Sequence, residues 1–229
     1  MFDYSCNKRL TRPHDLVWLT ADALEGPVPA WAVRELADDA PVVVRRAPRH
    51  GDRLPVGIRG ESRGERHADW IDPSAIRSCR TPESLAAADV WSGHACRDEI
   101  PAIAALGDVA AILERFGMLW GVTGAVGYEL ATGKPVTHAE SDLDLLVRRP
   151  EPLARGEAVD IHSALAALSA RCDVQVETPT GAMALAEWAS LAARVLVKSD
   201  AGPFLSSNPW NTAASGDVAC CDAASTSAG

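Results

Sequence analysis

No Cys-x-x-Cys pair occurs among the six cysteines (Cys6, Cys79, Cys96, Cys172, Cys220 and Cys221), so neither a zinc site nor a disulfide framework is suggested and free thiols are expected. No apolar run approaches the roughly 20 residues that a bilayer crossing requires. The stretch from Met1 to Leu10 is polar and charged throughout and has no apolar core of the signal-peptide kind. The expectation is a cytoplasmic protein with no membrane contact. An excess of positive charge is also missing: the net charge of −9 and pI of about 5.1 argue against nucleic-acid binding, in which a basic surface supplies most of the affinity. No internal repeat is visible. What remains is a globular composition, 229 residues with 47% hydrophobic content, enough for one large domain or two small ones.

The chain is organised around Gly121 to Val147, which reads GVTGAVGYELATGKPVTHAESDLDLLV. Its end alternates as a strand does, so Leu143, Leu145 and Val147 point one way and Asp142 and Asp144 the other. Like charges side by side lose hydration and raise one another's pKa. The pair makes sense as a hold for a divalent cation, since Mg²⁺ is usually bound by one or two carboxylates plus substrate phosphates. Exposed carboxylates on the solvent face of a sheet are the alternative. A second alternating stretch, Asp173-Val174-Gln175-Val176-Glu177, offers a third carboxylate on a neighbouring strand. The glycines upstream allow backbone N–H groups to come up to a phosphate.

A Gly-rich loop opening a helix, a strand carrying Ser-Asp-Leu-Asp-Leu and a later acidic strand together resemble the nucleotidyltransferase superfamily typified by DNA polymerase beta. The closer resemblance is to the phosphoribosyl-dephospho-CoA transferases that act as malonate decarboxylase holo-acyl-carrier-protein synthases. It is carried also by Arg12-Pro13-His14-Asp15-Leu16-Val17-Trp18-Leu19, by Leu54-Pro55-Val56-Gly57-Ile58-Arg59-Gly60 and by Trp120-Gly121-Val122-Thr123-Gly124, and it runs from about residue 10 to about residue 200. The resemblance implies transfer of the phosphoribosyl-dephospho-CoA group from triphosphoribosyl-dephospho-CoA to a serine of the acyl-carrier subunit of malonate decarboxylase, with release of pyrophosphate. Asp142 and Asp144 would hold Mg²⁺, Asp173 would help activate the acceptor hydroxyl, and Gly121, Thr123, Gly124 and Ala125 would form the phosphate loop. Ala125 departs from the superfamily's usual Gly-Ser, and Thr123 is the nearest replacement hydroxyl. Two other readings stand beside this one: a generic nucleotidyltransferase using a nucleoside triphosphate, and a non-catalytic binding module weakened at Ala125.

Between Arg45 and Arg66 lie seven arginines against three acids, a cationic stretch in an acidic chain. Guanidinium groups pair bidentately with phosphate, while solvated loop charge is the bland reading. The family's Pro-Val-Gly-x-Arg-Gly points to Arg59 on the substrate side, and Lys198, at the end of a strand over 194–198, is a second candidate phosphate contact. His14 and Asp15 suit either a turn or a ligand role. Helices are expected over 29–37, 82–89, 101–116, 126–132, 152–170 and 182–193, and a buried strand over 41–44. The fold class is then α+β: a smaller N-terminal α+β domain over 1–95, a nucleotidyltransferase-like mixed sheet with helices over 96–205, and a tail over 206–229 that has almost no hydrophobic pattern and is expected to be disordered.

Overall fold

The computed structural model describes residues 11–212 apart from 21, 25, 26, 49, 61 and 63. Short alternating segments build the first half: β1 (Leu16–Leu19), α1 (Ala30–Ala37), β2 (Val42–Val44), β3 (Leu54–Arg59), β4 (Arg66–Ile71) and β5 (Ile76–Arg80). The strands form one antiparallel sheet in the order β4-β3-β2-β1-β5. One face buries Val17, Leu19, Val42, Val44, Val56 and Ile58 with Ala32 of α1. Burying a side chain of this size contributes about 1.5–3 kcal/mol.

Helices α2 (Pro82–Leu85), α3 (Ala88–Trp91), α4 (Pro101–Ala104) and α5 (Leu106–Arg115) follow. Then come β6 (Leu119–Val122), α6 (Gly124–Thr132), β7 (Leu143–Arg148), α7 (Arg155–Ala166), β8 (Cys172–Thr178), β9 (Gly181–Ala184), α8 (Leu185–Ala189), β10 (Val195–Ser199) and β11 (Gly202–Ser206). The second sheet runs β11-β10-β9-β8-β7-β6, with β7 and β8 parallel and every other pair antiparallel. The crossover between the parallel pair is α7, which buries Ala158, Ile161 and Leu165 against Leu143, Leu145, Val147, Val174 and Val176. The α+β class and the mixed second sheet are as expected. Leu85 and Trp91 already belong to this second core, so by packing the chain passes to its second half ahead of residue 95.

The opposite face of β7 and β8 meets the first half through charge. Arg148 reaches Glu83, which also accepts from Arg12 at 3.2 Å, and lies 3.8 Å from Asp15. Glu177 pairs with Arg46, which also reaches Asp200 at 3.3 Å. His14 sits in the left-handed region (φ 76°) with Nε2 2.7 Å from the Gln175 amide nitrogen, which also donates to Glu177 at 3.1 Å. With the amide donating, the imidazole accepts and is neutral; burial, the largest influence, lowers its pKa. Asp15 is 1% exposed, and burial raises its pKa to about 6 despite the hydrogen bond from Arg12 N and the nearby guanidinium groups. His14 and Asp15 are thus partners within this seam.

Several expectations are corrected. The 82–89 helix is two short ones, and 101–116 is interrupted at Ala105. The helix foreseen over 182–193 is a strand to Ala184 and a helix only to Ala189, because the turn after Thr178 folds Gly181–Ala184 back onto β8. The bland reading of the stretch from Arg45 to Arg66 as solvated loop does not hold throughout, since it contains all of β3 and the start of β4. Cys79 is disulfide-bonded, against the expectation of free thiols, whereas Cys96 and Cys172 are free. Within the expected tail, Ser206 closes β11, and Pro209 and Trp210 pack against the second half. Trp210 donates Nε1 to the Arg149 carbonyl at 2.8 Å and meets Trp188 edge-on at 5.2 Å, and the Pro209 carbonyl accepts from Thr178 at 2.8 Å. Residues 213–229 lie outside the described residues.

Candidate active site

A cleft of about 1760 Å³ opens between the two sheets. Its floor is the place where β6 turns into α6. Thr123 N and Thr123 Oγ1 both donate to the Asp144 carbonyl, at 2.9 and 3.3 Å, which ties the turn to β7. Gly124 opens α6 at φ 63°, and a Cβ built on it would stand 2.7 Å from Asp144 Cγ and closer still to Oδ2. The loop therefore rests directly on the Asp144 carboxyl, and only glycine fits. Gly124 and Ala125 are exposed to the cleft, with the free N–H groups of the first turn of α6 beside them. Such a helix start is a favourable phosphate site.

Asp144 is paired in register with Asp173 on the adjacent parallel strand, and both line the cleft. The Asp144 pKa is raised, first by burial, then by Asp173 and Asp142, against the opposing charge of Arg59. Asp142 stands one step outside the cleft lining, half exposed, with Arg171 at 3.5 Å. An exposed pair of this kind is worth about 0–1 kcal/mol and is readily given up. Arg59, on the cleft side of β3, and Lys198, on β10, face the same space, so the structure gathers Thr123, Gly124, Ala125, Asp144, Asp173, Arg59 and Lys198. It does not bring Gly121 there. A Cβ at Gly121 would lie 2.6 Å from the Glu83 backbone nitrogen and closer still to Pro82, so that glycine serves the packing of β6 on α2.

Among the described residues, no three His, Cys, Asp or Glu side chains come together as a complete metal site. The donors present are nevertheless hard carboxylate oxygens that repel one another beside a phosphate-binding helix start, which fits a Mg²⁺ whose shell is completed by substrate phosphates and water. Two residues of the cleft were not singled out in the sequence. Lys134 lines it from the loop after α6, which is held by Glu129: that buried carboxylate accepts from Val136 N at 2.8 Å and from Thr137 N and Oγ1, both at 2.7 Å. Arg45, one of the seven clustered arginines, also lines it; the signal was its place two residues beyond Val43, on the side of β2 opposite the core.

Comparison with known proteins gives the family. The model of the phosphoribosyl-dephospho-CoA transferase MdcG C-terminal domain matches residues 89–209, and that of the N-terminal domain of the same family matches residues 12–82. A phosphoribosyl-dephospho-CoA transferase of Azotobacter vinelandii is 45% identical over 207 residues, covering 90% of this chain and 97% of the relative. One from Pseudomonas putida is 46% identical over 200 residues (87% and 95%), and one from Klebsiella pneumoniae strain 342 is 44% identical over 201 (87% and 96%). No solved structure matches. With both halves matched in order, and relatives of this identity aligned along nearly their whole length, the chain belongs to the phosphoribosyl-dephospho-CoA transferase family.

Proposed function

We propose that this transferase takes triphosphoribosyl-dephospho-CoA as donor and a serine of the acyl-carrier subunit of malonate decarboxylase as acceptor, and releases pyrophosphate. The observation that carries the reading is the register pair Asp144 and Asp173, set against the glycine-led start of α6 in a cleft that also presents Arg59 and Lys198. The N–H groups at Gly124 and Ala125 orient the triphosphate, and Arg59 and Lys198 meet its negative charge. Asp142 and Asp144 would hold Mg²⁺, which when bound supplies charge neutralisation at the phosphates and at the departing pyrophosphate. Asp173 accepts the proton of the incoming serine hydroxyl. The serine oxygen then bonds to the innermost phosphorus of the triphosphate as the bond from that phosphorus to the bridging oxygen breaks, and the oxygen leaves with pyrophosphate.

The test is the intact mass of the apo-carrier subunit after incubation with this protein, the donor and Mg²⁺. A gain equal to the phosphoribosyl-dephospho-CoA group, absent with Asp144→Asn, is expected. Wild-type transfer by Asp144→Asn would sink the assignment of the carboxylates. Modification only with ordinary nucleoside triphosphates would favour a generic nucleotidyltransferase, and donor binding without pyrophosphate release under any divalent metal would favour a binding module.

A further inference from the structure

Arg45 is the least explained charge in the cleft. Alternation along β2 sends Val42 and Val44 into the first core, at 0% and 3% exposure, and leaves Val43 and Arg45 on the cleft side. The stem of Arg45 crosses β3 at Gly57, where a built Cβ would stand 2.9 Å from Arg45 Cδ and 3.2 Å from Cγ. A glycine in a buried strand costs stability; here its missing side chain is the channel in which the arginine lies. Next to it, Arg46 is paired with Glu177 and Asp200. Arg45 has no such carboxylate among the described residues, and its Nη1 is shut off from solvent without a hydrogen-bond partner. The residue as a whole is half-buried and lines the cleft, so its charge is open to an anion there, and a guanidinium with no carboxylate partner suits a phosphate.

Arg45 is also set apart from the carboxylates. Arg59 is the arginine whose charge reaches Asp144. Gly57, under the Arg45 stem, lies two residues before Arg59 on the same face of β3, about 7 Å away at 3.4 Å per residue. The cleft, about 1760 Å³, exceeds the roughly 300–1,000 Å³ of an ordinary small-molecule site. Those dimensions suit a long donor with anionic groups at two places. Resting on the donor named above, we propose that Arg45, seated over Gly57, binds the second anionic group, the diphosphate within the dephospho-CoA arm, and so selects this donor over an ordinary nucleoside triphosphate.

The test is calorimetric binding to the full chain of two separate probes, dephospho-CoA, which carries the diphosphate alone, and inorganic triphosphate. Arg45→Gln is expected to weaken dephospho-CoA by about tenfold or more, the effect of one charge-assisted hydrogen bond, and to leave inorganic triphosphate unchanged. Arg59→Gln should do the reverse. Gly57→Ala fills the channel and displaces the Arg45 stem while keeping its charge, so it should copy the loss for dephospho-CoA and add nothing further in combination with Arg45→Gln. Unchanged dephospho-CoA affinity in Arg45→Gln, or an equal loss for both probes, overturns the proposal while leaving the donor assignment intact. A wild-type protein that does not bind dephospho-CoA overturns both.

Discussion

Gly124→Ala puts the contact between the phosphate loop and the Asp144 carboxyl to a direct test. Two costs are separable. An L-residue at φ 63° is strained by about 1–2 kcal/mol. The new methyl, 2.7 Å from Asp144 Cγ, also forces the carboxyl off its rotamer, for about 0.5–1.5 kcal/mol more. Together these give about 2–3 kcal/mol, or a fall in Tm of about 5–10 °C for a chain of this size. Gly133→Ala is the matched control: φ is 71° there, but nothing lies within 4 Å of the added Cβ, so it carries the strain alone, about 1–2 kcal/mol. On the role proposed for Asp144 at the metal, the two variants should differ far more in chemistry than in stability, because a misplacement of about 1 Å costs about 100-fold in rate. Transfer is read by the mass gain of the carrier subunit, at a temperature where both variants are folded. If Gly124→Ala matched Gly133→Ala in both Tm and rate, glycine at 124 would not be there to make room for Asp144, and the floor of the cleft would have been misread.

Other outcomes follow from the seam and the loop. Native Asp15 keeps its proton to about 6, whereas an unfolded aspartic acid titrates near 3.9. Folding therefore takes up a proton between those values, and stability falls as pH rises through that window, by about 3 kcal/mol in all. The Tm of Asp15→Asn relative to wild type should climb between about pH 4 and pH 6 and level off above; a constant offset would refute the burial account. Gly121→Ala sets a methyl against the backbone of α2, which cannot swing aside, so a loss of about 1–3 kcal/mol is expected by chemical denaturation, with the donor affinity of the folded fraction unchanged. Because the Thr123 hydroxyl is turned to the Asp144 carbonyl, Thr123→Val should cost about 1 kcal/mol of stability and little rate; a large loss of rate with intact stability would show that the hydroxyl serves the substrate instead. Ala125→Ser places a hydroxyl at the exposed helix start and should tighten triphosphate binding, as measured by calorimetry.

The carboxylate strands were legible because each half of the pattern obeys one rule: Leu143, Leu145 and Val147 go to the core, and the residues between them go to the other side. The same rule applied to Leu54, Val56 and Ile58, yet the arginines around them suggested a loop. Those charges sit on a hairpin whose far face is a core, a fact that needs α1 to be seen. Gly181–Ala184 misled for the opposite reason. Alanine favours helix locally, but pairing with β8 outweighs that preference. The role of Gly121 was out of reach, since α2 lies far from it in the chain and their contact exists only once the second core has formed. Asp173 was legible as a charge on a strand, whereas its exact partner, Asp144, depended on the register of a parallel pair joined through α7.

The charged seam between the sheets has a consequence for how such a protein can be inherited. Arg148 and Glu177 belong to the second sheet, while Glu83, Asp15 and Arg46 come from the first half of the chain. A recombination event that kept residues 89–209 and replaced what precedes them would strip both groups of these opposite charges, and would also remove Leu16 and Leu85 from the second core. An unpartnered buried charge is among the most destabilising of single defects, at about 3–5 kcal/mol. The two halves are therefore separable as patterns of sequence but not as heritable modules: selection must carry them together, and a change on one side of the seam is viable only with its counterpart on the other.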